Sequence, residues 1–380
     1  MRRLMTTLVA AALVVGVLAP GVGAVGYPWH RPMTVDSIEF IGEVTFDTGF
    51  EYRSVEVGGL SAITYDADAD IYYSLSDDRS QIAPSRFYTL TIDVGDGSLD
   101  PGDVTFIGET TLLGNDGRPY AELATDPEAM VLNPHDYTLY LASEGDALAL
   151  VDPFVNQYTL GGTLIDELRI RDKYLPTADG TAGIRQNLAF ESLAITPDGK
   201  KLITATEGAL AQDGPAASLT EGSLARVMVF KLPSERPAGE WVYPVDPVVD
   251  APDPAGSFIV NGLVELLPID NRGTMLAMER SFSVGVPGND IRLYETSIRG
   301  VEDVSRLQAL DGATFETMKK ELVLDLDDLG LLLDNLEGMV FGPILPDGRQ
   351  SLIMVSDNNF NPAGQFTQFL AFAVELAKTK

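Results

Sequence analysis

Apolar residues run along this chain in short blocks, and the blocks recur. Residues 58–78, 127–146, 190–208, 261–280 and 336–359 share one layout. A short apolar run opened by Gly or Glu is followed by a turn of Asp, Pro, Asn or Gly. A second apolar run follows and meets an acidic residue at its end. Strand–turn–strand with such turn residues is a β-hairpin, and near-continuous apolar runs predict burial on both faces. The copies start 63 to 75 residues apart, too far for a hairpin alone, so each unit holds further strands. Residues 86–94, 224–232, 290–298 and 367–376 alternate apolar and polar as third strands, and residues 104–112 form a fourth in the first unit. The last unit lacks its fourth strand, while residues 38–46 near the other end share Phe-Ile-Gly-Glu with residues 104–112. An N-terminal strand that completes the last sheet closes a ring, which predicts an all-β fold, a β-propeller. The repeat gives five blades, or six if residues 156–186 hide a degenerate one. Residues 314–322 and 326–335 have helical spacing and predict a short helical insertion on the last blade.

In an antiparallel hairpin, opposed residues keep a constant index sum. The turns then place Glu128 opposite Glu144, Glu191 opposite Glu207, Glu337 opposite Asp357, Gly262 opposite Glu279 and Gly59 opposite Asp78. Each pair lies at the open end of its hairpin. If the first strand is innermost, all five ends converge on one mouth of the central channel. Asp78, Glu128, Glu144, Glu191, Glu207, Glu279, Glu337 and Asp357 crowd there, with Asp77, Asn187, Asn358 and Asn359 beside them. Like charges this close raise one another's pKa unless a cation neutralises them. Oxygen-only donors, with Asn358 as a neutral one, suit calcium or magnesium rather than zinc. Arg79, Arg185 and Arg280 adjoin the same segments and could pair with the acids or hold an anionic substrate through the guanidinium fork.

Charge and composition narrow the classes. The chain has 26 basic and 56 acidic residues, two His and no Cys. This balance excludes nucleic acid and anionic membranes as partners, and the His count excludes a multi-histidine metal site. Residues 1–24 carry Arg2 and Arg3, an apolar run and a small-residue end at Ala24, the layout of a secretory signal peptide. Its removal leaves 24 basic against 56 acidic residues. The expectation is a soluble monomer, exported to the periplasm or beyond, with a linker at 25–36 and one domain at 37–377. Residues 66–77 place acids at four calcium-loop positions but carry Ile71 where Gly is required, so they read as a hairpin turn. No nucleophile elbow, Cys nucleophile or phosphate-cradling loop is present.

The segments "DPEAM", "NLAFESLAITPDGKKLITATEG", "MERSF", "DIRLYE" and "NLEGMVFGPILPDGRQSLIMVSDNNF" resemble the phytase-like family, described by its esterase-like activity of phytase. The resemblance spans about residues 37–376, and its recurring acids match at Glu128, Glu191, Glu207, Glu279, Glu337 and Asp357. Phe190-Glu191-Ser192 and Glu128-Ala129 depart from the family's Glu-Gly pairs but keep the acid. It implies hydrolysis of a small phosphorylated or other ester substrate. Combined with the acidic mouth, the expected function is a calcium-assisted phosphoester hydrolase. Glu191, Glu337, Asp357, Arg79 and Arg280 are its candidate catalytic residues. The alternative is a non-enzymatic propeller that binds a ligand or protein partner, with calcium purely structural.

Overall fold

The computed structural model describes residues 32–379; the signal peptide expected at residues 1–24 lies outside them. Five four-stranded antiparallel sheets form the blades of a β-propeller. The first blade is built from Leu60–Asp66, Ile71–Ser76, Arg86–Ile92 and Val104–Thr111. The third and fourth open with Phe190–Ile195 and Ile259–Pro268, and the fifth runs Asn335–Ile344, Gln350–Asp357, Phe366–Lys378. Its fourth strand comes from the other end of the chain. Met33–Asp47 pairs with Phe366–Lys378, from Met33 opposite Lys378 to Asp47 opposite Phe366. The ring therefore closes between the two ends of the described chain. Met33 already belongs to this strand, so residues 33–36 are sheet rather than linker.

The second blade resolves the question of a sixth. Its outer strands, Phe154–Thr159 and Leu164–Glu167, come from residues 156–186 and their neighbours, next to Pro127–Asn133 and Thr138–Ser143. The helical insertion expected at 314–335 is not there. Lys319–Asp325 is instead the outer strand of the fourth blade, paired with Asp290–Ser297. Met318 and Leu322, four residues apart, fit a period of two as well as a helical one. The open edge of Asp290–Ser297 offers backbone partners that decide between them. Only a single 3-10 turn follows, at Leu326–Leu329. Asp325 caps it by accepting from the Asp327 N–H, and Gly330 ends it at φ 66°.

The core lies between the blades. Leu60, Ile63, Tyr72, Tyr88 and Leu90 of the first blade pack against Ile353, Val355, Phe369 and Ala371 of the fifth. Phe46 on the closing strand stitches this interface. Its ring stands 5.6 Å from Phe106 and 6.1 Å from Phe369, both edge-on, a geometry aromatic rings favour. Phe46→Ala should therefore lower unfolding stability by roughly 3 kcal/mol in denaturant titration. A loss below about 0.5 kcal/mol would show that closure does not depend on this cluster.

An acidic chamber at one end of the channel

In every innermost strand the ladder slips by one residue. The slip falls at Ser61, Glu128, Glu191, Val264 and Glu337. A β-bulge of this kind leaves one residue unpaired and re-aims its side chain. Beyond the slip, Leu60 faces Ser76, Pro127 faces Ser143, Phe190 faces Thr206, Leu263 faces Glu279 and Leu336 faces Ser356. The equivalent next residues are Asp77, Glu144, Glu207, Arg280 and Asp357. The constant-sum pairing expected from the sequence assumed an unbroken ladder and missed by one residue in blades one and four and by two in blades two, three and five. Asp357, for example, faces Asn335 rather than Glu337, and Gly262 faces Arg280 rather than Glu279.

These positions converge on a cavity of about 870 Å³. Eight carboxylate residues line it: Asp77, Glu128, Glu144, Glu191, Glu207, Asp334, Glu337 and Asp357. Arg280 is the one cationic side chain among the lining residues. Three overlapping groups bring carboxylate oxygens within 4.8 Å of one another: Asp126, Glu128 and Glu144; Glu128, Glu191 and Glu337; Glu144, Glu191 and Glu207. Of the residues expected at the mouth, Glu128, Glu144, Glu191, Glu207, Glu337, Asp357 and Arg280 meet there, with Asp77 in place of Asp78.

Five expected residues are used elsewhere. Asp78 forms a buried 2.7 Å ion pair with Arg86 and accepts the N–H groups of Gln81, Ile82 and Ala83. Its oxygens thus hold a loop rather than face the cavity. Glu279 points between blades three and four. It accepts from the Tyr243 hydroxyl at 2.8 Å and the Asp246 N–H at 3.0 Å, and pairs with Lys320. Asn358 accepts from the N–H groups of Gly59 and Phe360 with its amide oxygen. Arg79 pairs with Asp126 at 3.4 Å and Asp146 at 3.1 Å, outside the cavity lining. Arg185 donates to the carbonyls of Ala209 and Gly214, so it braces a loop.

Sequence reasoning missed Asp126, Asn335 and Glu265. Asn335 is the hub of the fifth-blade side. Its Nδ2 donates to Glu337 at 2.9 Å and to Asp357 at 3.2 Å, and its Oδ1 accepts from Arg280 at 2.6 Å. Arg280 also donates to Glu207 at 2.9 Å. Glu265 follows the fourth-blade bulge and is buried, accepting from the N–H of Leu266. Each lies within two residues of a bulge, and the sequence carries no signal of the bulges themselves.

Neighbouring blades fix the carboxylates. The Ala189 N–H donates to Glu144, and Gly262 has no side chain to block Glu207. A Cβ on Gly262 would lie 2.2 Å from Glu207 Cγ. Gly262→Ala should displace Glu207 from Arg280 and destabilise the protein by about 1–3 kcal/mol, measurable by thermal unfolding. An unchanged midpoint would contradict this packing.

The model of esterase-like activity of phytase matches residues 55–360, a span that holds all five bulges, the eight carboxylates and Arg280. The chain belongs to the phytase-like family. No curated protein matches this phytase-like chain. Among solved structures it is similar to an endo-arabinase from Bacteroides thetaiotaomicron: 12% identity, TM-score 0.45, with 88% of this chain and 99% of that one covered. A thermostable family-43 glycoside hydrolase gives 11%, 0.45, 87% and 94%. The Pseudomonas aeruginosa periplasmic gluconolactonase gives 13%, 0.34, 92% and 99%. Likeness at this level adds nothing to the fold described above.

The crowding has an electrostatic signature in this phytase-like chamber. Burial first, then neighbouring carboxylates, push Glu144 up to about 8, and burial pushes Asp357 and Asp126 up to about 6. Burial and the same neighbours raise Asp77, Glu128, Glu191 and Glu337 well above the usual carboxylate range. A carboxyl raised on folding binds more protons folded than unfolded, so its stabilising effect is present at low pH and lost as pH rises through the folded pKa. In chelator, the melting temperature should fall as pH is raised from about 4 to about 8, the window set by Asp357, Asp126 and Glu144. A melting temperature that rises over this window in chelator would contradict the crowding.

Proposed function

We propose that the chamber is the active site of a phosphoester hydrolase that works with divalent cations, calcium first among them. The observation that carries this is eight carboxylates around one guanidinium in a single cavity, with two unpartnered buried atoms, Asp77 Oδ1 and Arg280 Nε. The donor set fits a hard cation: carboxylate oxygens in three overlapping groups, and no thiol or imidazole among them. Glu128, Glu144, Glu191, Glu207 and Glu337 would hold it. Such an ion, when bound, neutralises phosphate oxygens and acidifies water.

The chain's own groups do the rest. Arg280 has a free Nε–H donor and is braced by Asn335 and Glu207, so it orients a phosphate oxygen. Asp357, shifted into the range of a base useful near neutrality, accepts a proton from water. The water oxygen bonds to phosphorus, the bond from phosphorus to the ester oxygen breaks, and the leaving alkoxide takes up the proton that Asp357 accepted. The signal-peptide layout of residues 1–24 is what supports placing this chemistry outside the cytoplasm.

The test is turnover of p-nitrophenyl phosphate by the mature chain, with calcium and with chelator. Chelation should abolish turnover. Asp357→Asn should lower kcat/KM by about a hundredfold or more, and Glu191→Gln and Glu337→Gln should weaken calcium dependence. Calcium-dependent stability without turnover on any phosphoester would sink the enzyme and leave an ion-plugged binding propeller.

A further inference from the structure

The chamber is not polar all round. Its fourth-blade side is walled by Phe258, Val260, Phe282, Val286 and Pro287, with Leu332 at the rim. Phe258 is 64% exposed and Leu332 is 53% exposed. Large apolar side chains left open beside a ring of carboxylates form a surface that a ligand can cover.

A second cavity of about 140 Å³ opens against the same wall. It shares Asn187, Phe258 and Val260 with the chamber. Leu188, Ala216, Ala217 and Ile259 complete its apolar lining. Its polar residues already have partners. The Ser223 hydroxyl donates to the Pro215 carbonyl at 2.9 Å, and Asn261 Nδ2 donates to the Asp246 carbonyl at 2.9 Å. Gln186 donates to Asn187 at 3.0 Å and accepts from the Leu148 N–H at 3.2 Å. The pocket therefore offers contact area rather than unmet hydrogen bonds. An apolar cavity of about 150 Å³ takes one benzene ring.

We infer that the preferred substrate is an ester of a compact apolar alcohol, an aryl or benzyl group, with one charged head. The ring enters the side pocket between Phe258 and Ala217, and the head faces Arg280 and the carboxylates. A single phosphate brings about two negative charges, which one guanidinium and a divalent cation can balance. A polyphosphorylated ring brings several times that charge into a cavity already lined by eight carboxylates, and has no apolar part for the pocket. This deepens the hydrolytic role proposed above and rests on it for the reaction, but not for binding.

The experiment separates the two. The mature, calcium-loaded chain is titrated by calorimetry with phenylphosphonate, benzylphosphonate and methylphosphonate, none of which it can hydrolyse at the phosphorus–carbon bond, and with inositol hexakisphosphate. Turnover of phenyl phosphate and glycerol phosphate is measured alongside. One of the two aromatic phosphonates should bind at least about tenfold more tightly than methylphosphonate, as expected for burying a ring. Ala217→Phe, which fills the pocket from a loop, should bring the ratio close to one, and Phe258→Ala should reduce it. The thermal midpoint of each variant checks that it is folded. Equal affinities, no binding of any phosphonate, a ratio unmoved by both variants, or tighter binding of inositol hexakisphosphate overturns the inference. Ester turnover without aromatic preference overturns it alone. Aromatic preference without turnover on any ester supports it and overturns the hydrolytic role.

Discussion

Mutual repulsion among buried carboxylates is the constraint around which this molecule is arranged. Two like charges 4 Å apart cost about 4 kcal/mol at an effective dielectric near 20. Eight carboxylates around Arg280 therefore cannot all ionise together without another cation. They must keep protons or be neutralised. The raised pKa of Glu144, Asp357 and Asp126 is the first solution, and a divalent cation is the second. Both follow from the same geometry, because the fold leaves the acids no room to separate.

Five-fold repetition creates this convergence, and departures from it give the chamber a direction. The five bulge positions carry Glu in blades two, three and five, but Ser61 and Val264 in blades one and four. The next ring carries acids in four blades and Arg280 in the fourth. Phe258, Val260 and Phe282 come from that same fourth blade. One sector is thus apolar and cationic while the others are acidic. A symmetric ring would hold an ion on its axis. This one presents an acidic side and an apolar side with Arg280.

The fold was legible because its signal repeats. Five similar hairpins and a matching pair of outer strands, residues 38–46 and 104–112, are enough to infer ring closure. The failures were local. The stretch around residues 318–329 fits two periods, and only the unpaired edge of Asp290–Ser297 decides for a strand. The site was legible as a convergence of acids but not to the residue. A bulge changes the register by one, and a one-residue change separates Asp77 from Asp78 and Arg280 from Glu279. Nothing in an apolar run announces a bulge. The side pocket was invisible for a different reason: Leu188, Ala217 and Phe258 come from separate loops and strands that meet only in three dimensions.

A site this costly persists because its expense is spread over the whole ring. Each blade interface contributes its own apolar cluster, and the closing strand ties the two ends of the circle together. Hydrogen bonds from backbone N–H groups across blades, the Ala189 N–H to the Glu144 carboxylate and the Leu263 N–H to the Glu207 carbonyl, then hold the acids against their repulsion. Relief by local movement would require separating blades, which exposes buried core at about 25 cal/mol per Å². The chamber's electrostatic strain therefore stays stored at the mouth. It is available to favour whatever positive charge enters, and that preference is set by the backbone before any ligand arrives.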